Sequence, residues 1–382
     1  MMFRMRIKGE KAPLYTGVFL LTLKCFFSIS AIFPCPGFLD SILSVLGIFC
    51  VMTAILVKRC TLTNVIVYCV VAVYSVITCI NSSNYHILMT VITCMAISQE
   101  DFDDVTKFLF SCQITLFIVQ IFAACLASFV SDYAIFTQTE RNSMRFNGGF
   151  VHTNSYSLYL TNLITMWLWL NYGKIKTKEL FFLGLLTLLS VLLTKNRTQP
   201  MVILAVLILV AINQKKTKVT LFLKLCTRIF FFCCAMAIWW LVVNYNEGHP
   251  LSLVADSLLS SRIRLGTYAY NYYGFTLIGR NLQNLYISSP ELGLKGWFTF
   301  DNMYTFLMFH QGVLWIPIFV IAFWCFSKTD NSKLMILGIC WALYGFSEVL
   351  PINGYLFFPA LLFSFVINKR NNRVNTVYDS KS

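Results

Sequence analysis

Charged side chains are scarce in this 382-residue chain: Asp, Glu, Lys and Arg make up 12% of it, against about 25% in soluble domains. Hydrophobic residues reach 58% and the mean hydropathy is +0.70, more apolar surface than a soluble core can hide. No Walker motif and no G-x-G-x-x-G is present, so coupling to a bound nucleotide has no support. No repeat of 20 to 50 residues, low-complexity tract or soluble domain interrupts the chain. The fourteen cysteines, such as Cys69, Cys79, Cys233 and Cys234, fall in or beside apolar runs without zinc-site spacing and read as packing residues.

What is present is a succession of apolar runs, and about 20 helical residues cross the hydrocarbon of a bilayer. They lie at about 14 to 33, 38 to 57, 61 to 80, 84 to 98, 108 to 130, 155 to 171, 179 to 194, 200 to 212, 221 to 243, 303 to 325, 333 to 349 and 355 to 367. The fourth, eighth and twelfth are short. The opening MMFRMRIKGEK lacks a small-residue cleavage site downstream, so the first run is expected to be a retained span. The expectation is an all-α, polytopic bundle of about 12 helices, a single membrane domain over 1–382, with outer loops at 131–154 and 244–302, the latter large and helical.

With the amino terminus inside, the inner segments hold 19 of the 30 Lys and Arg, which fits the positive-inside rule and places both termini in the cytoplasm. Eight basic residues oppose the trend: Arg141, Arg145, Lys195, Arg197, Arg262, Arg264, Arg280 and Lys295. Six of the eight are arginine, whereas the inner set is mostly lysine. Topology requires only positive charge, but the planar fork of arginine suits a diphosphate, so the outward set points either to an anionic ligand or to solvated loop charge. Arg197, in the short turn LLTKNRTQP, must sit close to the bilayer surface, where an ionisable group is a functional candidate.

In the large loop, DSLLSSRIRLGTYAYNYYGFTLIGRNL has Asp256 positioned to cap a helix that Gly274 would end. Tyr268, Tyr270, Tyr272 and Tyr273 in the same stretch suit either stacking on sugars or an interfacial aromatic belt. Asp101, Asp103 and Asp104 in SQEDFDDVTK mimic the metal-binding D-x-D of nucleotide-sugar transferases. Inside and just before a helix, they are expected instead to complement its dipole, with no metal and no cofactor.

Three stretches together resemble the Wzy-type polysaccharide repeat-unit polymerases, of the O-antigen polymerase and ligase superfamily. They are RFNGGFVHTNSYSLYL (Arg145 to Leu160), the turn holding Arg197, and SSRIRLGTYAYNYYGFTLIGRN followed by FDNMYTFLMFHQGVLW (Phe300 to Trp315). The resemblance covers roughly 140 to 325. Asn196-Arg197 stands where the family has Ser-Arg, and His152-Thr153-Asn154 where it has His-Pro-Asn. Related ligases carry histidine at the place of Asp301.

The resemblance implies a metal-independent, GT-C-like membrane glycosyltransferase. It would join polyprenyl (undecaprenyl) diphosphate-linked oligosaccharides into capsule, exopolysaccharide or O-antigen at the outer face of the cytoplasmic membrane. Flippase and chain-length regulator proteins would be its partners, and nucleic acid would not. Arg197, Arg262, Arg264 and Arg280 would hold the diphosphate, and Asn154, Asn302 and Tyr304 would contact acceptor or sugar. Asp301 is the expected base or else the cap of the following helix, and His152 is the alternative base; His310, within an apolar run, is expected to pack. The rivals are a ligase of the same superfamily and a lipid-linked sugar transporter or flippase, which would place polar groups along several spans and show inverted repeats.

Overall fold

A computed structural model of the chain describes residues 11–58, 60–99, 101–130, 135–138, 144–196, 198–216, 219–246, 250–259, 262–282 and 285–368. Six of its helices are long and apolar enough to cross a membrane: α1 (Ala12–Ile29), α2 (Gly37–Val57), α3 (Leu62–Ser82), α5 (Phe102–Val130), α7 (Thr177–Thr194) and α9 (Leu221–Val243). Between them lie the short α4 (His86–Ala96) and α8 (Thr198–Asn213) and the less apolar α6 (Thr153–Asn171). After α9 come α10 (Pro250–Leu258), α11 (Arg262–Tyr273), α12 (Met303–Phe306), α13 (Trp315–Ser327), α14 (Ser332–Tyr344) and α15 (Ser364–Ile367). Two small antiparallel hairpins, β1 (Phe136–Gln138) with β2 (Met144–Phe146) and β3 (Tyr286–Ser289) with β4 (Leu294–Trp297), decorate the two long loops. The chain is a membrane-embedded helical protein, and the outward apolar faces of α2, α3 and α7, with Phe49, Val70 and Phe181 exposed, are what lipid requires.

Three apolar runs depart from the single helices expected of them. The run at 303–325 is α12, then a π-helical turn over Leu307–Gly312, then α13. The break falls at Gly312, whose φ is +124°; a Cβ there would lie 2.5 Å from the Tyr74 hydroxyl and 2.7 Å from the Leu277 carbonyl oxygen. Gly312→Ala is therefore expected to destabilise the fold by about 1–3 kcal/mol. An unchanged melting temperature of the purified variant in detergent would refute that.

The run at 333–349 stops being helical at Tyr344. The run at 355–367 is not one α-helix but a 3₁₀ stretch, Phe358–Phe363, followed by α15, and a 3₁₀ turn at Leu350–Ile352 precedes it. Pro351 and Pro359 remove backbone donors there, so a regular ladder is impossible. The segment is nonetheless buried: Phe357, Phe358, Ala360 and Leu362 are wholly enclosed.

Irregular backbone inside a membrane protein is tolerated only where protein groups satisfy it. Here polar side chains from three helices do so. Thr90 of α4 donates to the Ile352 carbonyl at 2.8 Å and accepts from the Gly354 amide at 2.9 Å. Gln113 of α5 donates to the Tyr355 carbonyl at 2.6 Å. Asn162 of α6 donates to Gln113 at 2.7 Å and accepts from the Phe358 amide.

Polar groups gather at one end of the bundle. Lys11 pairs with Asp101, and Lys58 donates to the Met95 carbonyl at 2.8 Å and to Asn368 at 2.7 Å. Asp103 accepts from the Trp169 indole at 2.7 Å and faces Lys333 at 3.5 Å, while Asp104 pairs with Lys107 at 2.9 Å. The three D-x-D-like carboxylates thus have separate basic partners. Among the described residues no group of His, Cys, Asp and Glu is arranged to hold a metal.

Candidate functional site

At the opposite end the loop before α6 folds onto α1 and α5. Ser30 donates to Gln120 at 2.9 Å, Gln120 donates to the Gly149 carbonyl, and Ala31 donates its amide to the same carbonyl at 2.8 Å. That anchoring sets the start of α6, where His152 is exposed and Asn154 is half-buried. Asn154 accepts from Asn196 at 3.2 Å, which ties the α6 entrance to the turn between α7 and α8. Arg197 in that turn lies outside the described residues, as does Arg141.

From this turn, α8 carries Gln199 inward. Its amide nitrogen donates to the Glu348 carboxylate at 2.8 Å, and the Arg262 guanidinium faces the same carboxylate at 3.9 Å. Both ionic side chains are nearly enclosed, Arg262 with 11% and Glu348 with 12% of its side chain exposed. The 3.9 Å separation is too long for a hydrogen bond. Arg262 Nε and Gln199 Oε1 are buried without a hydrogen-bond partner among the described residues.

Arg262 opens α11, which lies close against α9: a Cβ on Gly266 would meet Val242 at 2.7 Å and Thr305 at 3.0 Å, and Thr267 donates to the Val242 carbonyl at 2.9 Å. Residues two apart on a helix do not face each other, and Arg264 accordingly turns away from Glu348. Its amide and Nε donate to Asp256 of α10 at 3.0 and 2.7 Å, so Asp256 caps α11 from the preceding helix. Gly274, at φ +66°, ends α11 as its sequence position suggests.

The segment after Tyr344 is held by the start of α12. The Met303 amide donates to the Gly345 carbonyl at 2.9 Å, and Asn302 donates to the Phe346 carbonyl at 2.9 Å. The Asn302 oxygen also accepts from the Tyr304 and Thr305 amides at 2.9 and 3.1 Å, so Asn302 is the cap of α12 while Asp301 beside it is exposed. Glu348 lies beyond α14 in the following turn. Burial pushes its carboxyl up to about 7; Arg262 opposes that rise, Asp301 adds to it, and the Gln199 hydrogen bond opposes it.

Two sets of contacts result, Asn154 with Asn196, and Gln199 with Glu348 and Arg262, and Asp301 is close enough to act on Glu348 electrostatically. The remaining sequence-derived residues stand apart from these. Arg280 is exposed and donates to the Tyr273 carbonyl, with its amide bonded to the His310 carbonyl at 2.8 Å. Tyr304 is fully buried, donates to the Ala342 carbonyl at 2.7 Å and packs on Phe231. His310 is buried among Phe300 and Phe306 and accepts from the Leu282 amide at 3.2 Å. Tyr268 and Tyr272 pack at a tilt with ring centroids 4.4 Å apart, and Tyr270 packs on Phe275 and Phe309.

Glu348 and Gln199 were not singled out by the sequence. Their signal is there: Glu348 is the one acidic residue between Asp330 and Asp379, inside an apolar run, and Gln199 follows Arg197 by two positions. No family model, no curated protein and no solved structure matches this chain. Its function must be argued from the cluster itself.

Proposed function

We propose that the chain is a membrane-embedded glycosyltransferase that polymerises polyprenyl-diphosphate-linked oligosaccharide repeat units at the outer face of the cytoplasmic membrane. The observation that carries this is the enclosed cluster of Arg262, Glu348 and Gln199, to which the second family-like stretch contributes Gln199 and the third Arg262. Asn154 of the first stretch meets Asn196 of the second, and Asn302 and Met303 of the third hold the segment that leads to Glu348. A buried arginine with unfilled donors is an anion site. An apolar groove of about 370 Å³ along α8, α9 and α14, lined by Ile208, Phe222, Phe230 and Leu343, supplies a lipid-facing surface for part of a prenyl tail.

In this reading Arg262 balances charge on the diphosphate as the anomeric carbon–oxygen bond breaks, and Arg197, which follows Asn196 in the sequence, is a second candidate for that role. An acceptor hydroxyl attacks the anomeric carbon and gives its proton to a carboxylate. Asn154 and Asn196 offer amide donors and acceptors to sugar hydroxyls. Arg264, committed to Asp256, sets the angle between α10 and α11.

The test is the length distribution of surface polysaccharide in a deletion strain complemented with the wild-type chain or with Asp301→Ala. Wild type restores a ladder of polymer lengths, and the deletion strain makes single repeat units only. A deletion strain that still makes full-length lipid-linked polymer but fails to transfer it would identify a ligase instead. Polymer made and transferred normally without the chain would overturn both.

A further inference from the structure

We propose that Glu348 is a resident anion for Arg262 that an incoming substrate diphosphate displaces, and that the displaced carboxylate is the base for the acceptor hydroxyl. The inference rests on the diphosphate reading of this site and adds the identity of its proton acceptor.

Three observations lead there. The Glu348 carboxylate is held by Gln199 at 2.8 Å but stands 3.9 Å from the Arg262 guanidinium, so the two charges face each other without a hydrogen bond. Such a pair is an expensive way to stabilise a fold, because both ions lose water and the guanidinium gains no geometric match in return. Arg262 Nε is in addition buried without a partner among the described residues, which leaves donors free for a bidentate anion. Asp301, the other carboxylate of the cluster, is exposed and needs no displacement to be charged.

The groups that face Glu348 are Arg262 from α11, Gln199 from α8, Asp301 ahead of α12 and Tyr344 at the end of α14. When the diphosphate takes the guanidinium, Glu348 loses its cationic neighbour and keeps Asp301, so its proton affinity rises. In the transfer step the acceptor oxygen forms the bond to the anomeric carbon, the carbon–oxygen bond to the diphosphate breaks, and the diphosphate leaves with the electron pair. The acceptor proton passes to the Glu348 carboxylate and returns to water when the product departs.

The experiment uses the full chain in lipid nanodiscs with farnesyl diphosphate as probe, titrated by calorimetry. Glu348→Gln removes the competing charge, and its affinity for the probe is expected to rise about tenfold. Glu348→Asp keeps the charge and should bind as wild type does. In cells making the native glycan, Glu348→Gln should yield single repeat units only. Tighter binding combined with lost polymer is a pattern that damage to the fold would not give. Equal affinity in wild type and Glu348→Gln, with binding lost in Arg262→Ala, would overturn the role of Glu348 and leave the diphosphate site standing. Binding that is insensitive to Arg262→Ala would overturn both.

Discussion

Arg262→Ala is expected to lower polymer formation by at least about 100-fold, the scale seen when one preorganised charge-stabilising donor is removed from a transition state. The arginine does more than supply charge: its planar fork is held nearly enclosed at the start of α11, beside the carboxylate of Glu348. Arg262→Lys keeps the charge but loses the fork, so it should recover only a small part of the activity. The alanine variant also leaves Glu348 buried without its cation, which costs about 3–5 kcal/mol where a buried pair is broken. That cost has a separable signature. In the double variant Arg262→Ala with Glu348→Gln the uncompensated charge is gone, so thermal stability should return while polymer formation stays lost. Ladder formation at matched membrane levels and melting of the purified variants read the two effects apart. Wild-type ladders from Arg262→Ala would remove this residue from the reaction.

The second large effect concerns the fold. Asn162→Leu is expected to destabilise the protein by about 2–5 kcal/mol, because it leaves two buried polar partners, the Phe358 amide and the Gln113 side chain, without their bonds. The leucine is close in volume, so the loss comes from unsatisfied polar groups rather than from a cavity. The readout is the apparent melting temperature in detergent, which should fall by several degrees. A variant as stable as wild type would mean that the 3₁₀ segment does not depend on its polar scaffold.

Hydropathy made the membrane class and the overall run of helices legible, because length and apolar content suffice to identify a span. It did not reveal which runs stay helical. The run at 355–367 counts as apolar residue by residue, yet Pro359 deprives it of a donor, and Pro351 and Gly354 break the backbone just ahead of it. The compensating Gln113 and Asn162 sit far away in α5 and α6, where isolated polar residues carry no sequence mark of their partner.

The site divides in the same way. Sequence motifs gave residue types and rough location, enough to reach Arg262 and Asn154. They could not give direction, and the helical step from Arg262 to Arg264 sends one guanidinium to Glu348 and the other to Asp256. Asn302 and Tyr304 have the chemistry to meet a sugar, but the short α12 uses the first as its cap and the second as packing. Glu348 stayed hidden because it fell inside a run read as helix; the helix ends at Tyr344, and the turn beyond it turns the carboxylate toward α8 and α11.

The irregular 350–367 segment also bears on the order in which the protein can be assembled. Gln113 and Asn162 are synthesised and enter the bilayer long before Tyr355 and Phe358, the residues whose backbone they hold. Until then their amides have only each other, and α4 has an open flank where Thr90 and Thr93 will later meet Ile352 and Tyr355. Insertion of the early helices therefore leaves a polar seam between α4, α5 and α6 unfilled. The last stretch of described chain closes that seam as a keystone closes an arch, so ribosome stalling or proteolysis ahead of residue 350 would leave a bundle whose helices are all inserted and whose interior is still open.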